Sequence, residues 1–140
     1  MKVALDTNIL VAALRSSVGA SRQLLQMLVN DEYEVVASVA MMLEYEAVLK
    51  RPAQLAAFRL DSVEIDTFLD GLATMLIPIT PFFLWRPQLR DPADEHVLEA
   101  AVNGQADAIV TFNLRDFKPA ARFGLEVLKP GEAVYRIQNG

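Results

Sequence analysis

The sequence predicts an α/β fold, an open parallel sheet with helices on both faces, and three observations predict it. Short apolar runs without internal alternation, KVALD at the start and ADAIVTF further on, have the character of strands covered on both faces. Longer segments between such runs carry apolar residues three and four apart, as crossover helices do. The two kinds of segment alternate along all 140 residues with no repeat, low-complexity tract or linker, so one domain spans 1–140.

KVALD (2–6) is the first strand. NILVAALRS reads as a helix, and ASRQLLQMLVND as another, capped near Ser21 with Leu24, Leu25, Leu28 and Val29 on one face. YEVVAS (33–38) is the second strand. VAMMLEYEAVLKR follows as a helix with a stripe of Met41, Met42, Tyr45, Val48 and Leu49, ending before Pro52. DSVEIDTFLDGLATM is amphipathic, with Asp61 or Ser62 as its cap. MLIPI (75–79) is the third strand, and Pro78 places it at the sheet edge. After a Pro-rich connection whose Trp85 is expected to pack in the core, DPADEHVLEAAVNG forms a helix ending near Gly104. ADAIVTF is the fourth strand and LEVLKP a short fifth, and PGEAVYRI closes the chain as a helix with Pro130 at its start.

Composition narrows the function. The chain is 53% hydrophobic with a mean hydropathy of +0.25, yet its most apolar stretch, ATMLIPITPFFLW, is broken by Pro78 and Pro81 and is shorter than the ~20 residues a bilayer requires. Asp6 and Asn8 interrupt what would be the apolar part of a secretory signal. The absence of cysteine rules out a disulfide framework and thiolate metal sites and is compatible with a cytoplasmic protein. The apolar surplus suggests a buried subunit interface. Thirteen Lys+Arg against eighteen Asp+Glu give a net charge of −5, so any contact with nucleic acid must be local. An acid excess also suits carboxylates gathered around a cation.

Open parallel sheets bind ligands beyond the carboxyl ends of their strands, where strand order reverses. Asp6 ends the first strand; Thr111, Asn113 and Asp116 follow the fourth. Asp94 and Glu95 sit in the first turn of the helix leading into that fourth strand. Glu44 stands six residues past Ser38, about 9 Å up its helix, and a Glu there can lean back to the edge. Taken singly, each acid has an ordinary role: Asp6 as a cap for a helix beginning at Ile9, Glu44 as a solvent-facing neighbour of Glu46 and Lys50, Asp91, Asp94 and Glu95 as complements to a helix dipole, Asp116 as a turn residue. Taken together they would repel by roughly 4 kcal/mol per pair at ~4 Å. Protons or a cation must then neutralise them, and with oxygen donors alone that cation is Mg²⁺ or Mn²⁺.

LDTNILVAAL, the Ser38-to-Glu44 spacing, RDPADEHVLEAAV and ADAIVTFNLRDF, in this order, resemble the PIN-domain ribonucleases, close to the VapC-like toxins of toxin–antitoxin pairs. The resemblance spans nearly the whole chain. It implies a five-stranded sheet of order 3-2-1-4-5 and metal-dependent hydrolysis of single-stranded or looped RNA that leaves a 5′-phosphate. It also implies one or two metal ions, a homodimer and a cognate antitoxin protein as partner. The family's acid positions fall on Asp6, Glu44, Glu95 and Asp116, with Asp6, Glu95 and Asp116 as metal ligands, Asp94 a possible substitute for Glu95, and Glu44 a candidate to orient the attacking water. Two departures bear on a second metal: Glu95 stands where many relatives have Asp, and Asn113 offers a neutral ligand where many have an acid.

Thr7, Asn8, Ser38 and Thr111 can fix carboxylate rotamers by hydrogen bonds. Arg15, Arg51 and Arg115 are candidates for phosphate contact at the rim, and His96, the single histidine, is expected to be a solvated surface residue. Two other readings stay open. Asp6 could be the nucleophile of a phosphatase, though such enzymes usually want a second Asp where this chain has Asn8. Or the chain could be a catalytically silent relative that binds RNA or protein.

Overall fold

The computed structural model describes residues 1–82 and 87–140. Trp85, expected in the core, lies outside the described residues. Five strands form one sheet: β1 (Lys2–Leu5), β2 (Glu34–Ala37), β3 (Leu76–Pro78), β4 (Ala108–Val110) and β5 (Glu126–Leu128). All neighbours are parallel and the order is β3-β2-β1-β4-β5, as the resemblance implies. β3 is an edge strand, where Pro78 deprives the sheet of no central donor.

Among the described residues, α1 (Thr7–Arg15), α2 (Ala20–Val29), α3 (Val39–Leu49), α4 (Pro52–Phe58), α5 (Ser62–Met75) and α6 (Pro92–Asn103) lie between strands, and α7 (Pro130–Asn139) follows β5. Consecutive side chains of a strand point to opposite faces. Val3, Ala4 and Leu5 of β1 are all buried, which requires cover on both faces of the sheet. α6 packs across β1, β2 and β4, while α2 packs beside α1 and α7.

Several expected details shift. α4 leaves no helical period in the sequence: it is seven residues long, starts at Pro52 and buries only Phe58. A 3-10 turn over Lys118–Phe123 was likewise not foreseen. α2 starts at Ala20 with Gly19 as its N-cap, at φ 109, so Ser21 lies inside the helix and does not cap it. Val29 is exposed, because the buried stripe of α2 runs through Ser21, Leu24, Met27 and Leu28. Asp61 does cap α5, accepting from the Glu64 N–H while the Glu64 carboxylate accepts from the Asp61 N–H.

Candidate active site

Strand register builds the centre of the site. Leu5 pairs with Val110 across β1 and β4, so the next residues, Asp6 and Thr111, meet just past the sheet. The Asp6 N–H donates to the Val110 carbonyl at 2.9 Å, and the Thr111 hydroxyl donates to Asp6 Oδ2 at 2.7 Å. Asp6 is also the N-cap of α1, its Oδ1 accepting from the Thr7 N–H at 2.8 Å. Capping engages one oxygen of this carboxylate and Thr111 the other. Each oxygen of Asp6 holds one hydrogen bond and keeps lone-pair capacity. Burial raises its pKa most; the Thr111 hydroxyl and the Thr7 N–H lower it, and the charges of Asp91 and Asp116 raise it again.

Side chains around Asp6 fix its position. The Asn113 N–H donates to Thr111 Oγ at 2.9 Å, and Asn8 Nδ2 approaches the same oxygen at 3.5 Å. The Tyr45 hydroxyl, from α3, donates to the Leu5 carbonyl at 2.5 Å and so anchors the strand immediately before Asp6. Tyr45 was expected only as part of an apolar stripe; its reach to the strand end was missed, since nothing in the sequence links residues 45 and 5. Ser38 caps α3, accepting from the Met41 N–H at 3.2 Å, which is its ordinary role and not contact with a carboxylate.

Adjacent acids on α6 have different surroundings. Asp94 is half-buried, and its carboxyl is pushed up to about 7, first by burial and then by the charges of Asp6, Asp91, Asp116 and Glu44. Acids just past β1, on α3 and in the loop after β4 therefore all act on Asp94. Glu95 turns inward: it is 3% exposed, and its Oε1 accepts backbone N–H groups of Gln88 at 2.5 Å and Leu89 at 2.6 Å. Neighbours on a helix point about 100° apart, so facing the cleft and holding the preceding loop fall to different residues.

Other predicted residues divide. Asp116 is exposed, on a turn closed by its N–H to the Asn113 carbonyl. It lines two depressions, both shared with Arg115. Arg90, not among the arginines expected at the rim, lines one of them. Arg15 donates to the Gln54 side chain at 3.0 Å, and Arg51 precedes α4 as an exposed cap. His96 Nδ1 stands 3.9 Å from Glu99 Oε1, one helical turn along.

The donor set suits a hard divalent cation, with carboxylates, an amide and hydroxyls and no thiolate. Asn8 Oδ1 is buried and has no hydrogen-bond partner beside the Asp6–Thr111 pair, an oxygen that a cation or its water could use. Among the described residues, no three acid or histidine side chains are drawn tightly enough to cage an ion as they stand.

Comparisons with known proteins agree with this geometry. A chain of the crystal structure of VapBC2 from Rickettsia felis, bound to a DNA fragment from its promoter, superposes with a TM-score of 0.60 at 19% identity, covering 92% of this chain and 98% of that one. At that identity the likeness concerns the fold. No curated protein matches the sequence closely enough to count as a relative. A family model described as PIN domain matches residues 2–115, which include Asp6, Glu44, Asp94 and Glu95 and end one residue before Asp116. The chain belongs to the PIN domain family.

Proposed function

We propose that this protein is a metal-dependent endoribonuclease, the toxin component of a toxin–antitoxin pair, acting at the edge where Asp6, Glu44, Asp94 and Asp116 converge. The observation that carries the reading is that Asp6, Glu44 and Asp116, from three other chain segments, all act on Asp94, beside an Asp6 carboxylate oriented by Thr111 and Thr7. Acids gathered at one edge repel one another, and a bound cation relieves that cost.

Asp6, Asp94 and Asp116 would hold one or two Mg²⁺ or Mn²⁺ ions. Asp94 takes the ligand role first expected of Glu95, because Glu95 is engaged by the Gln88 and Leu89 N–H groups. Bound there, a divalent ion would neutralise charge on a phosphodiester and lower the pKa of its water. The chain supplies the rest. Thr111 and the Thr7 N–H fix the Asp6 rotamer, Glu44 would accept a proton from an attacking water, and Asn8 and Asn113 brace Thr111 without adding charge. Arg115, beside Asp116, is the best-placed of the three predicted arginines to meet a substrate phosphate.

An antitoxin partner is supported by the likeness to VapBC2. A homodimer is supported by the exposed Val39 and Leu43, one turn apart on α3. Among the described residues no helix is long and apolar enough to cross a membrane, and a cytoplasmic location accords with the absence of cysteine.

Incubation of purified protein with single-stranded RNA tests the proposal. Cleavage is expected with Mg²⁺ or Mn²⁺, to be lost in EDTA, and to be lost in Asp6→Asn with the thermal melt retained. Full cleavage in excess EDTA, or by Asp6→Asn, would refute it. A silent relative would neither cleave RNA nor bind Mn²⁺ at this edge. A phosphatase would reveal itself as a phosphate ester trapped on Asp6.

A further inference from the structure

A groove of about 570 Å³ lies beyond the acid edge, between the start of α2, the end of α1 and the start of α7. The first turn of α2 forms one wall through Gly19, Ala20 and Ser21. No side chain caps this helix, so its leading N–H groups and the positive end of its dipole face the groove without a carboxylate or hydroxyl of their own. Ser21 is 6% exposed, and its buried hydroxyl, on the same wall, has no hydrogen-bond partner. A buried hydroxyl in that condition is costly unless a ligand or water satisfies it. Lys129 and the α7 start form the opposite wall. Glu132 also lines the groove from α7; its Oε1 accepts the Lys129 N–H at 2.9 Å, and its charge disfavours an anion at the α7 end of the groove. An anion would therefore seat at α2, facing the Lys129 ammonium.

Phe112 joins this groove to the acid edge. It directly follows Thr111, is 49% exposed, and together with Lys129 borders both the groove and the depression that contains Asp116. An aromatic face beside a cation and a helix N-terminus suits a nucleotide, with its base on the ring and its phosphate at the charge. Resting on the ribonuclease reading for its substrate class, we infer that the groove holds a nucleotide flanking the scissile phosphate of single-stranded RNA, its phosphate at Gly19–Ser21 and Lys129 and its base stacked on Phe112. The strand would then run from the α2 start over Phe112 to Asp116 and onward to Arg115 and Arg90.

Binding is to be measured without catalysis. Asp6→Asn protein in EDTA is titrated with a single-stranded RNA 8-mer, with a nucleoside 5′-monophosphate and with inorganic phosphate, while amide NMR shifts are followed. RNA is expected to shift the Gly19, Ala20 and Ser21 amides. Lys129→Gln is expected to weaken RNA binding about 5-fold and to reduce the salt dependence by one charge. Phe112→Leu should weaken binding of RNA but not of inorganic phosphate, which separates base stacking from anion capture. Shifts confined to Asp116 and its neighbours, or RNA affinity unchanged in both Lys129→Gln and Phe112→Leu, would overturn the inference. So would phosphate binding that RNA cannot compete away. Dimer dissociation in Val18→Asp with unchanged RNA affinity would assign the groove to a second copy and overturn it too. Amide shifts in Asp6→Asn, with a wild type that fails to cleave RNA in Mg²⁺ or Mn²⁺, would remove the nuclease reading and leave the subsite standing, whereas wild-type cleavage without those shifts in Asp6→Asn would do the reverse.

Discussion

Asp94→Asn and Glu95→Ala, one residue apart, are expected to act in opposite directions. The Asp94 carboxyl is raised from 3.8 to about 7 by burial and by four neighbouring acids, and each pKa unit corresponds to about 1.4 kcal/mol between protonation states. The unscreened total of about 4 kcal/mol overstates the cost for a half-exposed side chain, and solvent screening brings it to on the order of 1–2 kcal/mol. The unfolded chain releases this proton near pH 4 and the folded chain near pH 7. Folding therefore takes up a proton in that window, and stability falls as pH rises through it. Asn carries no charge at either pH. In EDTA at pH 8, Asp94→Asn should melt about 3–8 °C above the wild type, with the gain reduced to roughly a third at pH 5. Glu95→Ala instead strips two backbone N–H groups of a charged acceptor. It should lose about 2–4 kcal/mol and melt correspondingly lower at both pH values. Calorimetric titration with Mn²⁺ completes the contrast, since Asp94→Asn should bind at least about 10-fold more weakly while folded Glu95→Ala binds nearly as the wild type does. A destabilised Asp94→Asn in EDTA at pH 8, with undiminished Mn²⁺ affinity, would refute the assignment of the two neighbours.

The other predictions concern the same edge and its support. Thr111→Val, nearly isosteric at a fully buried position, removes the donor to Asp6 Oδ2; it should cost about 1–2 kcal/mol in a denaturant melt and lower metal-dependent RNA cleavage by about 10-fold. Mn²⁺ affinity should rise between pH 6 and pH 8 as Asp94 loses its proton, and this slope should vanish in Asp94→Asn. Gly104→Ala would place a Cβ 2.8 Å from the Ala100 carbonyl oxygen and 3.0 Å from Val36 Cγ1. A loss of about 1–3 kcal/mol is expected, with Mn²⁺ binding retained.

Much of this architecture was legible because burial and chemistry coincide along the chain. Val3 to Leu5 and Ala108 to Val110 are apolar on both faces, and in the fold they are covered on both faces. Asp6 interrupts the first of these runs, and the interruption marks the strand's carboxyl end. The choice between Asp94 and Glu95 was not legible. Which of two adjacent helical acids meets the cleft depends on the rotation of α6, set by the burial of Val97, Leu98, Ala100 and Ala101 against the sheet. The groove at α2 escaped as well. Its components, Ser21, Phe112 and Lys129, lie far apart in sequence and are individually unremarkable, and the hydroxyl of Ser21 becomes informative only once α2 is seen to begin at Ala20. Helix α4 was hidden by brevity.

Both rims of the sheet are three residues long, Leu76–Pro78 on one side and Glu126–Leu128 on the other. The first ends in an imino acid, and a doubly bonded ion pair between Glu126 and Arg136, with both contacts at 2.7 Å, stands at the second. Neither offers a foreign strand an attractive template. Self-assembly should therefore proceed through helical surfaces, and a continuous ten-stranded sheet shared by two copies is disfavoured from the outset.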